Sequence, residues 1–167
     1  MGWESVLTSL TWSTIYTLDG ELESLLAKAR FKKFTNAPRQ KIFDVVTNYE
    51  SLQTRLPEFF PSIRVISERS NATLVEEHLV LAGKEFVVMA KHVVNEPFLH
   101  EIFIVGGDVK GTHITEEFEQ TPKGVQITVC VDFKPKGTWR LLNLFKKGNI
   151  ENEFSRIMDR LIWIAEN

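Results

Sequence analysis

The chain is poor in cysteine, in long apolar runs and in net charge. Its 167 residues hold one cysteine, Cys130. No intrachain disulfide can form, and a reducing compartment is expected. No apolar stretch approaches the roughly 20 residues that cross a bilayer as a helix. The start, MGWESVLTSL, lacks the basic head and apolar block of a secretory signal, so a cytoplasmic location is expected by default. A formal net charge of −2 argues against a general nucleic-acid binder. There is no internal repeat and no low-complexity tract. No Gly-x-Ser-x-Gly elbow occurs, and Gly106, Gly107 and Gly111 fit neither a dinucleotide fingerprint nor a phosphate-cradling loop. No cofactor is expected.

What is present suffices for one domain with a real core. Hydrophobic residues make up 43% and charged residues 25%, ordinary values for a globular protein. Residues 1–27 read as an N-terminal extension. Ser5 to Leu18 favours strand through its Thr, Trp, Ile and Tyr, and Asp19-Gly20 signals a turn. Glu21 to Ala29 fits a short helix or the run-in to a strand. Arg30 to Thr35 reads as a strand. Asn36-Ala37-Pro38 then starts a helix, with Asn36 as cap and Pro38 in the first turn. Ile42, Phe43, Val45, Val46, Tyr49 and Leu52 follow at helical spacing. Pro57 and Pro61 end that pattern, leaving Leu56, Phe59 and Phe60 in a turn or a second helix.

From Ile63 the period becomes two. Six strands are predicted: Ile63–Arg69, Thr73–Ala82, Glu85–Val94, Leu99–Val105, Thr112–Gln120 and Val125–Phe133. Short gaps bearing turn residues favour consecutive antiparallel hairpins. In the last strand Val125, Ile127, Val129, Val131 and Phe133 alternate with polar partners, so one face is buried. Ile114, Glu116 and Phe118 share a face, as do Phe86, Val88, Ala90 and His92. The faces of Thr73–Ala82 and Leu99–Val105 stay open, because His78, His100 and Glu101 cannot be placed without register. The helical period returns at Thr138. It runs through Trp139, Leu142, Phe145, Ile150, Phe154, Ile157, Met158, Leu161 and Ala165, with Gly148 as a point of bending. About 28 residues of helix would span on the order of 40 Å.

Strand, two short helices, six antiparallel strands and a long terminal helix is the order found in the START-like (helix-grip) superfamily. TNAPRQKIFDVVTNYESLQTRLPEFFPSIRVI resembles that superfamily's opening. GGDVKGTHITEEFEQTPKGVQITVCVDFKPKG resembles its late hairpins, and NIENEFSRIMDRL its closing helix. The pattern is most similar to the polyketide cyclase/dehydrase and coenzyme-Q-binding-like group, over residues 28–166 of a domain that spans 28–167. The resemblance implies an α+β fold, a curved seven-stranded antiparallel sheet around a long C-terminal helix. It also implies an apolar cavity between them and a hydrophobic ligand: a lipid, isoprenoid, quinone or polyketide-like compound.

The candidate lining of that cavity is Phe60, Val88, His92, Phe103, Ile114, Glu116, Phe118, Val129, Val131, Phe154, Ile157 and Met158. Taken singly, each apolar member also fits ordinary core. Glu116 and His92 are the candidate acid–base pair. An inward carboxylate must be paired, protonated or solvated, and a structural ion pair satisfies the same pattern. The four histidines, His78, His92, His100 and His113, fall on four consecutive strands. No HxH or HxxxH spacing joins them, so no metal site is expected. Cys130 lies on the polar phase, away from the cavity. Lys134, Lys136, Trp139, Arg140, Lys146 and Lys147 form a basic stretch with interleaved apolar residues, suited to transient contact with an anionic membrane or to a solvated helix entrance. Three functions remain: carriage of a hydrophobic ligand, a cyclase/dehydratase-type reaction in the same cavity, or a filled-core interaction module. The oligomeric state is open.

Overall fold

The computed structural model describes residues 28–135 and 147–167. Strand β1 (Lys28–Thr35) leads into helices α1 (Arg39–Thr47) and α2 (Tyr49–Arg55). Six strands follow: β2 (Ser62–Arg69), β3 (Ala72–Leu81), β4 (Lys84–Asn95), β5 (Leu99–Gly107), β6 (His113–Thr121) and β7 (Gly124–Asp132). Helix α3 (Lys147–Glu166) closes the chain. The strands form one antiparallel sheet in the order β1-β7-β6-β5-β4-β3-β2. This is the expected helix-grip α+β architecture, and all six predicted strands are present within a residue or two.

Two irregularities help the sheet curve. Ile66 is passed over where Val65 pairs with Val75 and Ser67 with Leu74. Val105 is passed over where Met89 pairs with Gly106 and Ala90 with Ile104. Such bulges bend a strand and increase its twist. They also explain why these two β-branched residues face solvent.

Period-two alternation gives the sheet an inner face. Val75, Leu79, Leu81, Phe86, Val88, Ala90, Ile104, Ile114, Phe118, Val125, Ile127, Val129 and Val131 are all buried there. Helix α3 supplies Ile150, Phe154, Ile157, Met158, Leu161, Ile162 and Ala165 to the same core, the i, i+3, i+4 stripe of an amphipathic helix. Carboxylates near its two ends fix its path. Glu153 accepts a 2.7 Å bond from the backbone N–H of Ala82, in the β3–β4 turn. Glu166 accepts from Thr35 Oγ1 at 2.8 Å and from the Asn36 N–H at 2.9 Å.

The start of α1 departs from expectation. Asn36 does not cap it: Pro38 holds the cap position with no side-chain bond, and its carbonyl accepts from the Ile42 N–H at 3.1 Å. Asn36 lies too far upstream, and its N–H is taken by Glu166. The second helix also comes earlier than the 56–60 turn. Asn48 caps α2, its side chain accepting from the Ser51 N–H. The extension 1–27, and the predicted start of the terminal helix at Thr138, lie outside the described residues.

Candidate functional site

Four adjacent strands each contribute one polar side chain to the inner face. Glu77 on β3 alternates with Val75 and Leu79, and His92 on β4 follows Val88 and Ala90. His100 on β5 precedes Ile102 and Ile104, and Glu116 on β6 lies between Ile114 and Phe118. Their exposures are 5, 3, 2 and 8% in that order. Fully buried Ala90 lies between Val88 and His92 on the inner phase of β4.

These side chains form one continuous chain of contacts. Glu77 Oε1 meets His92 Nε2 at 2.9 Å. His92 Nδ1 meets His100 Nε2 at 2.9 Å. His100 Nδ1 meets Glu116 Oε2 at 2.8 Å. The two imidazoles are nearly parallel, with centroids 5.2 Å apart. Tyr49, at the start of α2, covers them, with its ring 4.2 Å from that of His92 and its hydroxyl 3.5 Å from His100 Nε2. Burial, and then the carboxylates of Glu116, Glu77 and Glu68, push the Tyr49 hydroxyl well above the usual tyrosine range. It therefore stays protonated as the neutral wall of the site.

The three contacts need three protons. A carboxylate only accepts, and a neutral imidazole carries one N–H. Two neutral rings could fill only two contacts, leaving lone pair against lone pair in the third. A third proton would make all three bonds and leave the four side chains with a single net negative charge. The outer carboxylate oxygens, Glu77 Oε2 and Glu116 Oε1, take no hydrogen bond from any described residue. Both ends of the chain thus keep acceptor capacity for a ligand or water.

Most candidate lining residues do lie inward. Phe60, Val88, Ile114, Phe118, Val129, Val131, Phe154, Ile157 and Met158 are buried with His92 and Glu116. Phe103 does not join them. It shares the outer phase with Lys91 and His113 and stacks on the His113 ring at 4.3 Å. The reason is register: His100, Ile102 and Ile104 take the inner phase of β5. The nominated pair Glu116 and His92 share a site, but His100 stands between them. Glu77, His100 and Tyr49 complete the site beyond the residues the sequence singles out. Both phases of β3 and of β5 carry apolar residues, and it is register against β4 and β6 that turns Glu77 and His100 inward.

The other two histidines face outward, each against a carboxylate: His78 with Glu85, and His113 with Glu101. Among the described residues no cluster of His, Cys, Asp and Glu has the form of a metal site. Cys130 faces outward as expected and lines a shallow cleft of about 350 Å3 with Lys28, Arg30, His113, Thr115 and Asp132. Of the basic stretch, Lys134 is ion-paired with Asp132 at 2.9 Å, and residues 136–146 lie outside the described part. No described helix is long and apolar enough to cross a membrane.

No curated protein sequence matches the chain. Solved structures of similar fold include the Zhui aromatase/cyclase from Streptomyces sp. R1128, with TM-score 0.68 and 11% identity over 83% of this chain and 93% of that one. A START superfamily protein from Mycobacterium smegmatis gives 0.63 and 10%, with the same coverages of 83% and 93%. Major latex-like protein 151 from Panax ginseng gives 0.65 and 11%, over 84% and 97%. At these identities the likeness is one of fold. The sequence itself goes further, because the family model for polyketide cyclase / dehydrase and lipid transport matches residues 35–162. Spanning most of the chain, that match makes it a member of the polyketide cyclase/dehydrase and lipid transport family.

Proposed function

We propose that the chain binds or carries an uncharged hydrophobic small molecule, of lipid, isoprenoid, quinone or polyketide-like type, between the inner face of the sheet and α3. The observation that carries this reading is the hydrogen-bonded chain from Glu77 to Glu116, set into an otherwise apolar centre of that face. The apolar surroundings supply affinity, about 0.8 kcal/mol for each buried methylene. The acceptor oxygens orient a ligand that carries a hydroxyl or other donor, and their net negative charge disfavours a carboxylate or phosphate headgroup. Access would come from movement of the Leu56–Ile63 turn or the Gly106–Gly111 hairpin. The first is held to α3 by Arg160 and Glu58 at 3.3 Å and by Arg156 over the Phe59 ring. Native purification followed by denaturation and mass spectrometry of the extract tests this. A stoichiometric apolar compound is expected. An empty extract, together with no uptake of neutral apolar probes, would defeat the reading.

The same side chains favour a second reading, a cyclase/dehydratase-type reaction with Glu116 as base and the histidines behind it. Glu116→Gln would then abolish turnover of a polyketide-like substrate while binding survives. In a pure carrier the substitution changes binding alone.

A further inference from the structure

We infer that Glu77, His92, His100 and Glu116 act as a two-ended proton relay. It takes the proton of a weakly acidic hydroxyl, a phenol or an enol, at Glu116 and shifts positive charge away toward Glu77. The inference rests on the ligand-binding reading above and adds an activity to that site.

Geometry gives the relay its two states. In the three-proton chain His92 Nε2–H donates to Glu77 Oε1, and His100 Nδ1–H donates to Glu116 Oε2. The third proton lies between His92 Nδ1 and His100 Nε2, 2.9 Å apart. Held on His100, it makes an imidazolium beside the Glu116 carboxylate. Held on His92, it makes an imidazolium beside the Glu77 carboxylate. All three hydrogen bonds survive the exchange, so the two states differ only in where the charge lies.

A bound hydroxyl at Glu116 Oε1 biases that choice. Its O–H bond breaks and a new O–H bond forms on Glu116 Oε1, while the electron pair stays on the ligand oxygen. Glu116 is then neutral and no longer stabilises a cation on His100. The third proton moves from His100 Nε2 to His92 Nδ1, and the positive charge comes to rest beside Glu77. Nothing is gained or lost overall, and the return of the proton reverses each step. At 2–8% exposure the chain lies in surroundings where such charge pairing is much stronger than in water. Among the described residues, Tyr49 on α2 lies against both imidazoles, and the carboxylates that act on its hydroxyl are Glu116, Glu77 and, on β2, Glu68. Tyr49 keeps its proton, so it walls the relay without draining it.

2-Naphthol is a suitable probe, because it is uncharged, apolar and a far stronger acid on excitation. Binding is read from anisotropy, and proton transfer from the ratio of naphtholate to naphthol emission. Bound naphthol is expected to emit in the naphtholate band. With naphthol raised until the anisotropy saturates, Glu116→Gln should cut the ratio several-fold. His92→Gln, read at saturating naphthol so that any change in Kd does not enter, should still lower the ratio, because the charge can no longer leave His100. Emission from neutral naphthol alone, or a ratio indifferent to Glu116→Gln, would overturn the relay with binding intact. A ratio sensitive to Glu116→Gln and indifferent to His92→Gln would reduce it to a single base. If naphthol stays free, the binding reading falls, and the relay as a ligand site falls with it. Should a variant fail to fold, long-range 15N–1H NMR of the unliganded wild type still decides. Three hydrogen-bonded protons on the His92–His100 unit are expected, and two would refute it.

Discussion

Replacing His100 with leucine tests whether the buried chain is a single electrostatic unit. His100 is 2% exposed and holds Glu116 at 2.8 Å and His92 at 2.9 Å. Leucine occupies similar space but offers no N–H. Glu116 Oε2 would lose its donor, and His92 Nδ1 would lose its partner. Removing one member of a buried charge pair costs about 3–5 kcal/mol, because the other is left uncompensated. For a domain of this size that corresponds to a fall in Tm of roughly 6–20 °C. The double change His100→Leu/Glu116→Leu removes the stranded carboxylate as well, and replacing both partners with apolar groups can be nearly neutral. The double variant should therefore be more stable than His100→Leu alone. Urea denaturation followed by circular dichroism at pH 7 measures the wild type, His100→Leu, Glu116→Leu and the double variant. A single-variant loss below about 1 kcal/mol, or a double variant showing the sum of two independent losses, would refute the reasoning.

Three further outcomes follow from other parts of the molecule. Gly107→Ala should destabilise by at least about 1–3 kcal/mol in thermal melts, since φ is +86° there and a Cβ would collide with the Val87 carbonyl oxygen. Of the two tyrosines, Tyr49 should resist ionisation until the fold gives way. Its raised value means its contribution is complete below the ordinary tyrosine range and is lost as pH rises through the folded value; Tyr49→Phe should remove that alkaline loss in pH-dependent melts. At the acid end, the hydrogen bonds from Asn36 N and Thr35 Oγ1 lower the Glu166 carboxyl against a small opposing effect of burial. That stabilisation is present above the ordinary carboxylate range and fades as pH falls through the folded value, so Glu166→Gln should flatten the acid limb of stability against pH.

Much of the fold was legible because the alternation is clean where one face meets water. Val125 to Phe133 announced both strand and face, and so did Glu116 between Ile114 and Phe118. The site was legible only in half. On β3, Leu74 and Val80 are apolar as well as Val75, Leu79 and Leu81; on β5, Leu99, Phe103 and Val105 are apolar as well as Ile102 and Ile104. A strand with two apolar phases does not declare which one turns inward. That ambiguity hid Glu77 and His100 and sent Phe103 to the wrong side. Register against neighbouring strands resolved it: Glu116 opposite His100 fixes β5, and Val75 opposite Ala90 fixes β3. The cap at Asn36 failed for a different reason. Its N–H was claimed by Glu166, 130 positions away, a demand no local pattern carries.

The position of β1 has a consequence for how the chain assembles. Strands β2 to β7 pair each with the next in sequence, so their contacts close over short loops and nucleate locally. β1 instead pairs with β7, where Thr35 meets Val125, ninety positions further along, and α3 packs on β1 and α1. Closing so long a loop is entropically late. The meander should therefore form first, and the docking of β1 with the terminal helix should be the step that sets the folding rate. The inner face would stay open until that step, so a hydrophobic ligand present during synthesis could be enclosed as the fold completes rather than admitted afterwards.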